Sequence, residues 1–133
     1  MLIDFHTHAF PDALATRAIS SLGGRVEFAP TTDGTIAGLI KSMDEDGVDI
    51  SVVCNIATNP RQNVKVNSFA VETLKAHNDC LVPLGSIHPD YPAPTEEIEK
   101  LHSAGIKGLK LHPDYMDVMI DDAKFDEIFS LAA

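Results

Sequence analysis

The sequence predicts an α/β fold in which parallel strands are joined by crossover helices. Three observations carry this expectation. Short extended runs alternate with helical runs four times along the chain, an order that specifies parallel strands with right-handed connections. The strands are two-faced, with apolar residues on one side and polar residues on the other. The polar residues also gather at the carboxyl ends of the strands.

The first strand runs from Leu2 to His8. Side chains alternate in an extended segment, so Asp4, His6 and His8 are expected on one face and Ile3 and Phe5 on the other. Pro11 opens a helix over Asp12 to Leu22, and Gly23-Gly24 ends it. Arg25 to Asp33, which contains Pro30, has no clear period and reads as a loop. Ile36, Leu39, Ile40 and Met43 then recur at helical spacing after Thr35, and Gly47 is the natural stop. A second strand covers Asp49 to Ile56. A helix follows over Val64 to His77, with Phe69, Ala70, Val71 and Leu74 as its expected buried side. Leu81 to His88 is the third strand, ended by Pro89. The helix Thr95 to Ala104 carries Ile98 and Leu101, and Gly105 closes it. Ile106 to His112 is the fourth strand. The tail Asp121 to Ala133 is helical, with Phe125, Ile128, Phe129 and Ala132 on one side. His77 and His102 fall on helices and read as surface residues.

A chain of 133 residues with 44% hydrophobic content suits one domain with a real core. Its formal net charge of -10 argues against a partner recognised through phosphates, whether nucleic acid or an anionic membrane. Asp4 interrupts the apolar start at once and no apolar run reaches 18 residues, so neither a membrane span nor a signal peptide is expected. Cys54 and Cys80 suit thiols of a reduced, cytoplasmic protein. No GxGxxG fingerprint follows a strand, which weakens a dinucleotide-binding reading.

An open parallel sheet covered by helices would be apolar on both faces. Here one face carries Ile3, Phe5, Ile50, Val52, Cys54, Leu109 and Leu111. The other carries Asp4, His6, His8, Ser51, Asn55, Ser86, His88, Lys110 and His112. Such a polar face suits the interior of a (β/α) barrel of the TIM type, whose chemistry sits at the carboxyl ends of the strands. His8, Asn55, His88 and His112 all lie at those ends. Imidazoles at i and i+2, about 7 Å apart by strand rise, can converge on one divalent transition metal without choosing which. His88 and His112 each precede a proline and have an alternative reading as strand-end residues hydrogen-bonded to backbone. Lys110 reads either as a paired core cation or as a functional group.

Three segments carry a resemblance to a known family: Ile3-Asp4-Phe5-His6-Thr7-His8-Ala9-Phe10-Pro11, Leu84-Gly85-Ser86-Ile87-His88-Pro89-Asp90, and Gly105-Ile106-Lys107-Gly108-Leu109-Lys110-Leu111-His112-Pro113. Together they resemble the amidohydrolase superfamily, in its amidohydrolase-related group that includes non-oxidative decarboxylases. The resemblance implies a metal-dependent barrel in which His6 and His8 hold a divalent ion, zinc foremost. It implies a hydrolase of small molecules that attacks a C–N, ester or lactone bond through metal-activated water. The alternative on the same scaffold is non-oxidative decarboxylation of an aromatic or unsaturated acid. His112 would stabilise an oxyanion or bind substrate. Asp4 would orient an imidazole or pair with Lys110. Asn55, His88 and Lys110 would contact substrate or support the ligands, and Lys110 matches a lysine that some relatives use, carboxylated, to bridge two metals. A phosphoesterase of the PHP type also opens on HxH, but it would call for further ligands and basic phosphate contacts.

A barrel of this kind usually needs about 250 residues, and four βα units end at Ala133. In relatives the next histidine ligand follows a fifth strand and an aspartate follows the eighth. The expectation is therefore the amino-terminal half of a longer enzyme. The alternative is a half-barrel that forms a homo-oligomer through its open sheet edges.

Overall fold

The computed structural model describes residues 1–23 and 30–133; most of the loop expected over Arg25 to Asp33 lies outside them. The chain is mixed α/β, with a three-stranded sheet and six α-helices among the described residues. It divides into two units, Met1–Val53 and Cys54–Ala133.

In the first unit, strand β1 (Ile3–Thr7) is followed by helices α1 (Asp12–Gly23) and α2 (Ile36–Asp46) and by strand β2 (Ile50–Cys54), whose last residue opens the second unit. The helix α2 forms where its apolar period predicts. The Thr35 side chain accepts from the Gly38 N–H at its start, and Gly47, at φ 69°, returns its N–H to the Met43 carbonyl at its end. A left-handed residue at this position costs glycine little, which explains the stop. Leu39 and Met43 are the buried side of α2.

β1 and β2 run parallel, as the alternation requires, with Ile3 opposite Ile50, Asp4 opposite Ser51 and Thr7 opposite Val53. Between the last two pairs β1 advances three residues while β2 advances two, so β1 holds one extra residue, a bulge. Paired residues of parallel strands face the same side, so Asp4 and Thr7 share a side and simple alternation fails between them. The expected single face of Asp4, His6 and His8 is corrected accordingly. The apolar face is corrected too: Ile3 is 44% and Phe5 76% exposed, whereas Val52 and Cys54 are buried as expected.

The second unit continues with α3 (Asn63–His77), β3 (Leu81–Leu84), α4 (Pro94–Ser103), α5 (Pro113–Met116) and α6 (Asp126–Ala132), with single 3-10 turns at Pro60–Gln62 and Ala123–Phe125. Its core is Ala70, Ile87, Leu101, Ile106, Met116, Phe125 and Ile128. Gly85 follows β3 where a Cβ would come within 2.6 Å of the Leu101 side chain, so a larger residue there would make Leu101 shift in its buried place on α4.

The fourth strand expected over Ile106 to His112 reduces to one parallel bridge, Leu109 opposite Gly85. The Gly85 N–H donates to the Gly108 carbonyl at 3.0 Å and the Gly85 carbonyl accepts from the Lys110 N–H at 2.7 Å. Beyond Gly85 the backbone is held by side chains instead, so the ladder ends. The expected buried face of α3 is met in part, since Ala70 is buried and Val71 and Leu74 pack against the core, but the helix also buries polar residues. Asn63, Asn67, Ala70 and Thr73 are buried, while Phe69, Val71 and Leu74 are only half-buried.

Candidate functional site

The polar strand-end residues fall into two groups with different surroundings. The first is the end of β1. His6 is exposed and His8 half-buried, and their ring centroids lie 5.1 Å apart with planes inclined at 61°. Thr7, between them, is buried, and its hydroxyl donates to the Val52 carbonyl at 2.9 Å. This bond fixes the backbone that carries both imidazoles. Asp4 accepts from the His6 N–H at 3.1 Å, so its carboxylate supports the main chain of the bulge. Ser51, opposite Asp4, is buried, and its hydroxyl has no hydrogen-bond partner among the described residues.

The imidazole pair suits a metal by spacing and by chemistry. Two rings on one tetrahedral zinc, each bound at about 2.0–2.1 Å, have centres on the order of 5 Å apart. The observed centroid separation of 5.1 Å agrees with that spacing. Among the described residues no group of three His, Cys, Asp or Glu side chains is placed to hold a metal ion.

The second group lies beyond β3. Ser86 and His88 are buried, and α3 reaches them with two amides one helical turn apart. Asn63 Nδ2 donates to the Ser86 carbonyl and Asn63 Oδ1 accepts from the His88 N–H, at 3.0 and 3.1 Å. Asn67 Oδ1 accepts from the Ser86 N–H at 2.9 Å, and Asn67 Nδ2 donates to the carboxylate of buried Glu97 at 2.9 Å. Ser86 Oγ donates to the Lys110 carbonyl and accepts from the Ala57 N–H, both at 3.0 Å. Asn55, one of the expected substrate contacts, donates its amide to the Leu84 carbonyl at 3.0 Å.

His88 belongs to this network through its ring. Nδ1 accepts from the Asp90 N–H at 3.1 Å, and the ring also bonds to the Met116 backbone. Burial holds the imidazole below its ordinary 6.5, against the opposing pull of the Asp90 charge and the Met116 bond. These are the contacts expected of a backbone-bonded residue at a strand end.

His112 is half-buried, with its ring tilted over Tyr115 at a centroid distance of 4.2 Å. Its carbonyl accepts from the N–H groups of Tyr115 and Met116 and so starts α5. Lys110 is half-buried, and its main-chain groups serve the Gly85 and Ser86 contacts. The sequence reading did not single out Asn63, Asn67 or Glu97. The signal was present as asparagines four apart on the side of α3 that the helix buries.

A scan against family models finds no match for this chain, and a search of curated proteins finds none. Solved structures do match it. 5-Carboxyvanillate decarboxylase LigW from Sphingomonas paucimobilis superposes with a TM-score of 0.68 at 16% identity, over 98% of this chain and 48% of that one. 4-Oxalomesaconate hydratase LigJ from Rhodopseudomonas palustris gives a TM-score of 0.59 at 20% identity, again over 98% and 48%. The likeness is one of fold, and this chain spans about half the length of the structures it matches.

Proposed function

We propose that this chain is the metal-holding part of an amidohydrolase-type enzyme that acts on a carboxylated small molecule. The observation that carries the proposal is the pair His6 and His8, whose rings stand 5.1 Å apart at the end of the first strand. Bound there, a divalent ion such as zinc would polarise a substrate oxygen and make hydroxide available near neutral pH. The chain's own contribution is positioning. Thr7 and Asp4 fix the bulge, and the exposed His6 leaves its side of the pair open to substrate. By resemblance, His112 is assigned to the substrate or its oxyanion.

Of the two reactions considered, non-oxidative decarboxylation now stands ahead of hydrolysis. The support is the fold likeness to a decarboxylase and a hydratase, both named for carboxylated substrates. A cytoplasmic setting accompanies this reading.

Calorimetric titration with zinc tests the metal pair: heat is expected from the wild-type chain and none from His6→Ala or His8→Ala. Equal heats in all three would remove the reading. The reaction itself is tested with 5-carboxyvanillate and, separately, with an aryl ester or lactone, each in ¹⁸O-water. Carbon dioxide released without label in the product supports decarboxylation. Label entering a product acid from an ester or lactone supports hydrolysis.

A further inference from the structure

We propose that Ser86 is a positioning residue for His112, holding it through the Lys110 backbone, and that Glu97 keeps Ser86 in place through Asn67. This rests on the reading of His112 as a group that meets the substrate and adds what sets its place. All four residues that do the positioning belong to the second unit, as does His112. Ser86 is fully buried, and its hydroxyl has one orientation. The Ala57 N–H can only donate, so Oγ accepts from it and sends its own proton to the Lys110 carbonyl, both at 3.0 Å. One hydroxyl therefore ties the segment after β2, the segment after β3 and the segment that leads to His112.

Lys110 is clamped at both of its main-chain groups. Its N–H donates to the Gly85 carbonyl at 2.7 Å, and its carbonyl accepts from Ser86. Two residues on, the His112 carbonyl accepts from the Tyr115 and Met116 N–H groups at the start of α5. His112 thus stands between two anchors, and these set where its ring lies against Tyr115, 4.2 Å away between centroids. Ser86 is held in turn by α3. Asn67 Oδ1 accepts from the Ser86 N–H while Asn67 Nδ2 donates to Glu97 Oε1, each at 2.9 Å. A carboxylate only accepts, so Glu97 decides which end of the Asn67 amide faces Ser86. Turning the amide over would set Oδ1 against the carboxylate and Nδ2 against the Ser86 N–H, acceptor against acceptor and donor against donor. Glu97 is 5% exposed, with the Lys100 ammonium 3.8 Å from its other oxygen. A charge buried to this degree is costly unless it is paired and hydrogen-bonded, and here its bond is made to the amide that orients Ser86.

The experiment is nuclear magnetic resonance of the histidine and tyrosine rings of this chain, followed by titration with 5-carboxyvanillate. Ser86→Ala should move the ring resonances of His112 and Tyr115, whose closeness makes each a probe of the other, and leave those of His6 and His8 in place. It should weaken 5-carboxyvanillate binding about tenfold. Asn67→Asp should give the same shifts in smaller degree, because it sets a second carboxylate against Glu97. Adding Glu97→Gln to that variant restores the bond in the reverse direction, the introduced amide donating to the introduced carboxylate, and should return rings and affinity to wild-type values. If Ser86→Ala does not fold, this single and double variant carry the test. Lowered melting temperatures with unmoved His112 and Tyr115 resonances would make the network a structural tie alone and overturn the proposal. Failure of the double variant to restore the resonances would overturn the part assigned to Glu97. Resonances that move as expected in a chain whose wild type takes up no 5-carboxyvanillate would leave the positioning standing and remove the substrate reading beneath it.

Discussion

Two strand ends of this protein carry histidines, and they differ in what surrounds the ring. After β1, His6 and His8 stand beside each other, one of them in the open, with the intervening Thr7 fixed to the neighbouring strand. After β3, His88 is buried, accepts from one backbone group, bonds to another, and follows a segment whose main chain is held by Asn63 and Asn67. Placement at a carboxyl strand end is therefore insufficient to mark a working histidine. A ring that already satisfies backbone groups helps to hold the frame, and removing it is expected to cost stability.

That contrast is broken most directly at Asn63. Asn63→Ala leaves the Ser86 carbonyl and the His88 N–H without their partner, and at about 1–3 kcal/mol for each buried group the unfolding free energy should fall by about 3 kcal/mol. Urea denaturation measures it. His6→Ala, at an exposed position, should change the same quantity by no more than about 0.5 kcal/mol without metal. Equal losses would erase the distinction between the two ends.

Zinc should act on the opposite end. At a free concentration of about one hundred times Kd, it should stabilise the wild-type chain by about 2.7 kcal/mol per equivalent site and leave His6→Ala unmoved, as read by thermal melting. Acid should act on His88. Burial lowers its value in the folded state, so the unfolded chain takes the proton first. The associated stability is present above about 6.5 and is lost as pH falls toward the folded-state value. His88→Gln should flatten that part of the stability–pH curve. The smallest effect belongs to the exposed pair of Lys124 and Asp90, 2.8 Å apart, where the ammonium holds the carboxyl below the usual carboxylate range. Lys124→Met should produce a slight loss that vanishes in high salt.

Much of the element order was legible because caps and periods are local. Thr35, Gly47 and the stripe between them define α2 with no information from elsewhere in the chain. The closeness of His6 and His8 was legible for the same reason, since two residues fix it. What escaped depended on partners. Ile106 to His112 has the composition of a strand, yet a ladder needs a facing backbone, and among the described residues only Gly85 supplies one. Phe5 was expected inside because it is apolar, but apolar character does not guarantee cover. Asn67 and Glu97 look like solvent-facing helix residues until their hydrogen bond is seen, because each hides the other's polarity.

The extra residue of β1 has a further consequence, for change in the sequence itself. Three steps on one strand against two on the next mean that the placement of Thr7, and of the histidines on either side of it, depends on counting residues as well as on their identity. Removing Phe5 alone would leave both histidines in the chain, yet it would force a choice. Either Asp4 leaves its place opposite Ser51, or Thr7 leaves its place opposite Val53 and its bond to Val52. Around this strand, a one-residue deletion should be less tolerated than most substitutions, and a descendant sequence could keep every ligand while losing the site.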